Sequence, residues 1–353
     1  LFELFELNCK KNKEAYLKTN SGRFYKALLR SKVDVEFSKC SVDPIRGENL
    51  CAECDDCCYL TGCKGQSIWN ASRLLRGFGK YKSKFKYINC HELIEFRESA
   101  GNVTAIFQKE KKIKEMVFSK LIIACGTVPS TKIVYKSLSK TGKIRLHHNP
   151  FAATLFLSKR GIDLNRKFGL SHHTFQLTEK NVSENFNLSF DGATIPNFIM
   201  AERIPGPLKT LDFVSNFLRK RSMVVVSYLS SASSSLWLNI DNDGKLRFEG
   251  NEPYKSQLYQ LNKILCSKLR SQGFYSLPFL FKIGDIGGDF HLGATMPIKR
   301  DNQTKGPVIT DNLGRPNGLK NIHIVDGSVL DSLSAKNPTW KIMVNSFRIS
   351  KRI

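Results

Sequence analysis

The sequence lacks internal repeats, low-complexity tracts and any uninterrupted apolar run long enough to cross a bilayer. Its longest apolar stretch, residues 223–240, is broken by six serines and therefore makes a poor membrane span. These absences argue against a repeat array and a transmembrane protein. With 353 residues, 41% of them hydrophobic and 10% aromatic, the chain has the composition of a folded protein of about two domains.

Acidic residues are also scarce, since 31 Asp and Glu stand against 55 Lys and Arg, for a formal net charge of +24. Such a surplus favours anionic partners such as nucleic acid or lipid headgroups. The lysines are nevertheless scattered, and the densest runs, residues 80–86 and 109–115, are interrupted by apolar residues. The pattern is more typical of a solvated basic surface than of a nucleic-acid site. We therefore predict a cytoplasmic protein that can sit peripherally on an anionic membrane surface, with nucleic acid as an unlikely partner.

Cysteine is the exception to this pattern of scarcity, with ten in the chain and five of them between residues 51 and 63. The others are dispersed, unlike the cysteines of a secreted disulfide framework. Cys51, Cys54 and Cys57 have C-x2-C-x2-C spacing, and Cys58 and Cys63 follow. This spacing resembles that of iron–sulfur cluster ligands, with a longer last gap. A Zn²⁺ site and a loop without metal are the two other interpretations of the cysteine cluster. The ligand set of any metal stays open.

Hydrophobic patterning predicts a mixed α/β (α+β) fold. Short alternating strands are expected over 87–89, 92–97, 103–108 and 113–118, and the apolar run 121–124 suits a strand buried on both faces. A helix should follow it, with its boundary at Pro129 and Ser130 as its cap. Residues 145–240 read as a largely antiparallel sheet, residues 67–78 as a helix, and residues 254–272 as an amphipathic helix that ends at Gly273.

The most informative segment is 321–347, in which an apolar strand leads into Asp326-Gly327, and Asn337-Pro338-Thr339 precede an apolar helix. A helix start that follows a turn presents unpaired backbone N–H groups to a ligand. About thirty residues upstream, His291 opens the glycine-containing segment HLGATM. By its local sequence alone, His291 is an ordinary loop histidine, and Asn337 is a helix cap before a proline.

Together these segments resemble the C-terminal signature of the glucose–methanol–choline (GMC) family of flavin oxidoreductases. The cysteine-rich segment, KLIIACGTVPSTKIV at 120–134, and RLHHNP at 145–150 occur in the order that this family shows. The resemblance implies FAD as cofactor, a small-molecule alcohol or sugar as substrate, and an electron-acceptor protein as a further partner. Some relatives also carry an iron–sulfur cluster near such a cysteine-rich segment.

The resemblance also implies roles for single residues. His291 would be the base that removes the hydroxyl proton, and Asn337 would bind the substrate oxygen on the same face of the flavin. Asp326 and Gly327 would lie near the ribityl chain and phosphates, and Gly126 would lie beside the nucleotide. Asn337, Pro338 and Thr339 would face the pyrimidine end of the ring. His147, His148 and His323 are interpreted as surface or core histidines.

One departure from the family is clear, because the chain contains no G-x-G-x-x-G motif for the FAD pyrophosphate and begins with Leu. We expect that the N-terminal nucleotide-binding segment is missing from this chain. The alternatives are an inactive relative of the flavoenzyme and a noncatalytic metal-binding or nucleic-acid-binding protein. The predicted division is a partial FAD-binding domain over 1–144, an antiparallel-sheet substrate domain over 145–290, and a catalytic C-terminal segment over 291–353.

Overall fold

In the computed structural model, the described residues form two compact units, each built from three stretches of the chain. The described residues are 26–31, 34–37, 45–46, 49–50, 75, 77–78, 84–159, 173–177, 186–191, 221–233, 235–242, 244–288, 291–299 and 306–353. Unit 1 comprises 1–80, 151–229 and 255–284, and unit 2 comprises 81–150, 230–254 and 285–353. The domain boundaries predicted from the sequence, 1–144, 145–290 and 291–353, are continuous segments, whereas these units are each built from separate stretches. The predicted domains stay a prediction.

Unit 1 is built around a six-stranded antiparallel sheet. In chain order its strands are β1 (Asp34–Phe37), β10 (Phe151–Ser158), β11 (His173–Leu177), β12 (Phe186–Asp191), β13 (Ser222–Tyr228) and β16 (Phe274–Ile283). Their order across the sheet is β1-β11-β12-β13-β10-β16. The small hairpin of β2 (Ile45–Arg46) and β3 (Asn49–Leu50) belongs to the same unit. The predicted antiparallel sheet is thus present, as β-branched and aromatic alternation in these segments indicates.

Helix α2 (Tyr254–Arg270) packs its apolar stripe in unit 1, where leucines at three- and four-residue spacing are buried. These are Leu258, Leu261, Leu265 and Leu269. The side chain of Thr154 on β10 donates to Asn262 Oδ1 at 2.9 Å, which joins the sheet to the helix. The predicted amphipathic helix is therefore confirmed, and it ends two residues earlier than expected.

Unit 2 contains a three-stranded antiparallel meander and a two-stranded parallel pair. The meander is β4 (Glu92–Ser99), β5 (Asn102–Lys109) and β6 (Lys112–Phe118), and the parallel pair is β7 (Leu121–Ile123) with β18 (Ile322–Ile324). A second three-stranded antiparallel sheet has the order β15-β14-β8 and consists of β8 (Gly142–Arg145), β14 (Ser235–Ile240) and β15 (Leu246–Asn251). A two-stranded antiparallel sheet pairs β9 (His147–His148) with β17 (Leu292–Gly293). The mixed α/β fold class is thereby confirmed.

Two helices complete unit 2, α1 (Thr127–Ser137) directly after β7 and α3 (Thr339–Ser350) near the C-terminus. Aliphatic side chains from β7, α1 and β18 form one buried cluster, which includes Ile123, Val134 and Ile324. This cluster fixes the strand–turn–helix geometry at the carboxyl end of the parallel pair. None of the helices in the described ranges is both long and apolar enough to span a bilayer.

Three expectations for local structure are wrong. Residues 87–89 are irregular, and Tyr87 is 69% exposed, because this apolar run finds no partner strand among the described residues. Ile122 on β7 is 53% exposed, so the strand is not buried on both faces; within the described part of the chain β7 pairs only with β18. Helix α1 begins at Thr127, and Ser130 does not cap it. The predicted helix over 67–78 falls largely outside the described residues.

Candidate active site at the end of the parallel strands

The candidate site lies in unit 2, where the parallel strands β7 and β18 end side by side. Their register pairs Ile123 with Ile324, and Val325 N donates to Ile123 O at 3.0 Å. Each strand then turns sharply, one at Gly126 before α1 and the other at Asp326-Gly327. In open α/β sheets ligands bind in the crevice outside the carboxyl ends of parallel strands. The predicted site residues Gly126, Asp326 and Gly327 are therefore brought together.

The Asp326 carboxylate holds the two turns in place. Its Oδ2 accepts hydrogen bonds from Gly126 N at 3.0 Å and from the Ser130 hydroxyl. Its Oδ1 accepts from the backbone N and the hydroxyl of Ser328, at 2.9 and 2.6 Å. Asp326 is only 7% exposed, and four donors of the protein satisfy both of its oxygens. The side chain therefore shapes the site, which leaves backbone groups of the turns to face a ligand.

Gly327 allows three segments of the chain to meet. A Cβ atom at this position would lie 2.8 Å from Thr127 Oγ1 and 2.9 Å from Leu292 O, closer than real Cβ contacts. Thr127 Oγ1 also donates to Leu292 O at 2.7 Å, and Ala294 N donates to Gly327 O at 3.0 Å. The first turn of α1, the Asp326-Gly327 turn and the segment after His291 are thus in direct contact.

His291 is placed at the edge of this arrangement. It immediately precedes β17, whose Leu292 and Gly293 pair with His148 and His147 on β9. The His291 side chain is partly buried. Its position follows from the two-residue strand and from the contacts of Leu292 and Gly293 with the glycine turn. The structure therefore brings the predicted base to the same cluster of segments as Asp326 and Gly327.

Asn337 lies at the start of α3, where its Oδ1 accepts a hydrogen bond from Thr339 N at 2.9 Å. Pro338, which is buried, occupies the position before the first helical residue. The side chain of Asn337 is exposed and thus serves as a helix cap whose amide group is open to solvent. Further along α3, Ser346 Oγ donates to Val325 O, which ties this helix to the end of β18.

Sequence reasoning missed three residues that connect these segments, namely His147, Asn149 and Ser231. Asn149 Nδ2 donates to Ser334 O at 3.0 Å. Ser231 Oγ lies 3.0 Å from His147 Nδ1 and accepts from Leu333 N, also at 3.0 Å. Residues 147–149 therefore contact both the strand after His291 and the loop that leads to Asn337. The segment RLHHNP contains His147 and Asn149, but its histidines were interpreted as surface or core residues, and no motif indicated Ser231.

The environment of His147 keeps its imidazole neutral. Burial lowers the pKa of His147 from 6.5 to about 4, and the positive charges of Arg145 and, to a smaller extent, Lys341 act in the same direction. The Asp331 carboxylate opposes them by raising the pKa, but it is itself paired with Lys341 Nζ at 2.7 Å. A neutral His147 at physiological pH can accept or donate one hydrogen bond through each nitrogen without adding charge to the site.

Two open cavities occur among the described residues of unit 2, and neither is lined by His291 or Asn337. One, of about 330 Å³, runs along α3 and is lined by residues that include Asp331, Trp340 and Lys341. The other, of about 600 Å³, lies at the opposite end of the parallel strands. The two predicted catalytic residues therefore do not share either of these cavities; His291 is partly buried and Asn337 is exposed.

The residues present fit the ring end of a flavin. The uncapped start of α1 has no side chain bonded to its first N–H groups, and α3 starts close by, with Ile342 near the position that a Gly327 Cβ would take. Helix N-termini favour negative charge, which the reduced ring carries. The structure thus offers donors for the ring, while the sequence has no fingerprint for the pyrophosphate.

A metal centre finds no support among the residues that are described. Within them, no three His, Cys, Asp or Glu side chains come together as a metal site would require. The cysteine cluster Cys51, Cys54, Cys57, Cys58 and Cys63 lies outside the described residues. The iron–sulfur prediction therefore stays a prediction.

Comparison with solved structures identifies the fold as one found in FAD-dependent oxidoreductases. The chain resembles pyridoxine 4-oxidase from Mesorbium loti, with a TM-score of 0.52 and 10% identity over 74% of this chain. It also resembles an FAD-dependent oxidoreductase from Chaetomium thermophilum, with a TM-score of 0.57 and 10% identity over 94% of this chain. The chain spans 57% of the pyridoxine 4-oxidase and 71% of the Chaetomium protein. At this identity the likeness concerns the fold.

Comparisons at the level of sequence add nothing to this assignment. No protein-family profile matches the chain, and no curated protein matches it either.

Proposed function

We propose that the chain is the larger part of an FAD-dependent oxidoreductase of the GMC type that oxidises a CH–OH group. The observation that carries this proposal is the contact between the segment after His291 and the Asp326-Gly327 turn, through Ala294 N and Gly327 O at 3.0 Å. This contact joins the residue best suited to act as a base to the strand crevice where a flavin ring would bind. The likeness of the fold to pyridoxine 4-oxidase and to an FAD-dependent oxidoreductase supports the same proposal.

When bound, FAD supplies the hydride acceptor for the oxidation of the alcohol. His291 takes the hydroxyl proton, a role for which an imidazole side chain is suited because it can accept a proton near neutral pH. Asn337 orients the substrate oxygen through its side-chain amide while its Oδ1 caps α3. Positioning of the alcohol by these two groups would convert a bimolecular reaction into one with an effectively fixed geometry.

The backbone around the two turns would hold the ring. Gly126 has φ +92°, which sets the chain on its path from β7 into α1. The N–H groups at the start of α1 would face the ring and stabilise negative charge on it. The backbone of Asn337, Pro338 and Thr339 at the start of α3 would face the ring as well, although Pro338 has no N–H and Thr339 N already donates to Asn337 Oδ1. Asp326 and Gly327 would not bind the ring through their side chains but would hold both turns in position. The four hydrogen bonds that Asp326 accepts support this role.

Substrate and partners belong to the same proposal. A small-molecule alcohol or sugar would be the substrate, and an electron-acceptor protein would reoxidise the cofactor. The proposal includes a cytoplasmic location, and the net charge of +24 supports peripheral association with anionic membrane surfaces.

The test is a His291→Ala variant, assayed for reduction of an artificial electron acceptor with a panel of primary alcohols and sugars. We expect the turnover to fall by about 10²- to 10⁴-fold, the usual effect of losing a general base, with flavin binding retained. His91→Ala is the matched control, because His91 lies in the same unit near the surface and bonds only to Asn89 O among the hydrogen bonds described for its ring. Unchanged turnover in His291→Ala, or an equal loss in the control, would contradict the assignment.

A further inference from the structure

The cavity of about 600 Å³ in unit 2 has the character of an anion site. Four cationic side chains contribute to its lining, and three aliphatic residues form an apolar wall. The cations are Lys120, Arg315, Lys320 and Arg352, and the apolar residues are Leu313, Leu319 and Ile353. We refer to this feature as the basic cavity. Its volume lies within the range of about 300–1,000 Å³ that small-molecule sites occupy.

The basic cavity is separate from the candidate active site. Lys120 directly precedes β7, and Lys320 lies just before β18, so both lie at the amino-terminal ends of the parallel strands. Gly126 and Asp326 follow the carboxyl ends of the same strands. Three residues at about 3.3 Å each place the strand ends roughly 10 Å apart, with further separation from the turns. A ligand in the basic cavity would therefore bind at the amino-terminal ends of β7 and β18, whereas the flavin ring would bind at their carboxyl ends.

Three of the four cations lack a carboxylate partner in the described part of the chain. Arg315 is paired with Asp311, with its Nε and Nη2 at 2.7 and 2.6 Å from Asp311 Oδ2. Lys120, Lys320 and Arg352 form no ion pair with any described Asp or Glu, and all three are exposed. Like charges around one concave surface raise the local positive potential and attract anions.

Three nearby negative groups reduce this potential without cancelling it. The Glu98 carboxylate accepts hydrogen bonds from the backbone N of Lys320 and of Asn321, at 3.0 to 3.2 Å. The C-terminal end of α3 adds roughly half a negative charge close to Arg352. The α-carboxylate of Ile353, which belongs to the cavity lining, adds one full negative charge. Together these groups amount to about two and a half negative charges, against Lys120, Lys320 and Arg352, which form no ion pair among the described residues. The net potential of the basic cavity is therefore positive.

We propose that the basic cavity binds a small organic polyphosphate. Its phosphates would face Lys120, Lys320 and Arg352, and its apolar or ring portion would lie against Leu313 and Leu319. Phosphate groups match the compact, strongly hydrated ammonium groups of lysine and the planar guanidinium of arginine. The apolar wall favours a nucleoside di- or triphosphate over inorganic phosphate alone, because a ring gains contact area there.

Calorimetric titration of the full chain with ADP, inorganic pyrophosphate and adenosine tests this proposal. A triple variant, Lys120→Gln, Lys320→Gln and Arg352→Gln, removes the three unpaired charges of the cavity. The control removes three exposed lysines of unit 2 on or next to β6, through Lys111→Gln, Lys112→Gln and Lys114→Gln, so that both variants have the same net charge. All six side chains are exposed, so both variants are expected to fold, which circular dichroism would verify.

We expect saturable binding of ADP and weaker binding of pyrophosphate, with no measurable binding of adenosine. The cavity variant should bind ADP at least tenfold more weakly, and the control variant should stay within about twofold at the same ionic strength, since distant charges are screened. Equal losses in both variants, adenosine binding as well as ADP, or no saturable binding of ADP to the unaltered protein at about 1 mM would each overturn the proposal. None of these variants touches Gly126, His291 or Asp326, so the result is independent of the proposed oxidoreductase activity.

Discussion

Among single residues, His147 is partly buried and is hydrogen-bonded to Ser231, which contacts a second segment of the candidate site. Its Nδ1 lies 3.0 Å from Ser231 Oγ, and Ser231 in turn holds the backbone of Leu333. Burial and the charge of Arg145 lower the pKa of His147 to about 4, against 6.5 for the free side chain. The neutral ring is therefore part of the folded structure, and its protonation works against that structure.

This linkage predicts how stability depends on pH. Between pH 6.5 and pH 4 the unfolded chain binds a proton at His147 and the folded chain does not, so the free energy of unfolding falls as the pH is lowered. A difference of roughly 2.5 pKa units corresponds to up to about 3 kcal/mol. Urea unfolding at a series of pH values should show this loss in the unaltered protein, on top of any contribution from other groups.

His147→Asn should flatten that part of the profile, because the amide keeps a hydrogen-bonding group toward Ser231 but does not titrate. His91→Asn is the control for removing a histidine from the surface, and its profile should follow that of the unaltered protein. If His147→Asn retains the full loss of stability between pH 6.5 and pH 4, the inference that His147 is buried in its neutral form is wrong.

Among the structural elements, the turn 311–315 packs against β18 and is hydrogen-bonded to it. Ile324 N donates to Gly314 O at 2.9 Å, and His323 Nδ1 lies 3.0 Å from Leu313 O. Gly314 has φ +70°, and a Cβ there would lie 2.1 Å from Ile324 O, a backbone atom of the strand. The strand that carries Asp326 can therefore keep its position only while residue 314 has no side chain.

The paired variants Gly314→Ala and Gly318→Ala separate this contact from backbone strain. Both glycines have positive φ, but a Cβ at Gly318 meets nothing within 4 Å. Gly318→Ala should therefore cost about 1–2 kcal/mol, the left-handed penalty alone. Gly314→Ala should cost at least about 2 kcal/mol more, because the strand must shift. Denaturant unfolding of both variants measures the difference, and equal costs would mean that the turn yields without disturbing β18.

Prediction from sequence succeeded where the information is local. The short apolar run in 151–158 and the helical spacing of Leu258, Leu261, Leu265 and Leu269 indicate their elements directly. The start of α1 was misplaced because Ser130, a typical capping residue, forms its bond instead with Asp326, 196 residues away. Only long-range packing decides between two such partners.

The same distinction applies to the candidate site. The Asp326-Gly327 turn, His291 and Asn337 could be proposed from the sequence because they belong to motifs that carry a family resemblance, and their roles stay predictions. His147, Asn149 and Ser231 were missed because their partners lie 84 to 185 residues away in the chain. A dipeptide such as His147-His148 carries no signal for a contact of that range, since strand neighbours point to opposite faces.

At the scale of the whole molecule, the two compact units divide the architecture between a sheet domain and the candidate site. Unit 1 holds the six-stranded antiparallel sheet with α2, and unit 2 holds the parallel pair, α1, α3 and each of the proposed site residues. The chain covers 57% of pyridoxine 4-oxidase and shares its fold without the nucleotide fingerprint that FAD-binding sequences carry. Cofactor affinity is therefore the property on which the proposed function most depends.

The central claim is that the imidazole of His291 and the carboxamide of Asn337 face one side of the same flavin ring. It is tested most directly by NMR, with histidine rings and asparagine side chains isotope-labelled and FAD added in steps. We expect the signals of His291 and Asn337 to shift together along one saturation curve, while those of His91 stay fixed. Binding of FAD that leaves both signals unchanged, or the absence of any saturable shift, would contradict it.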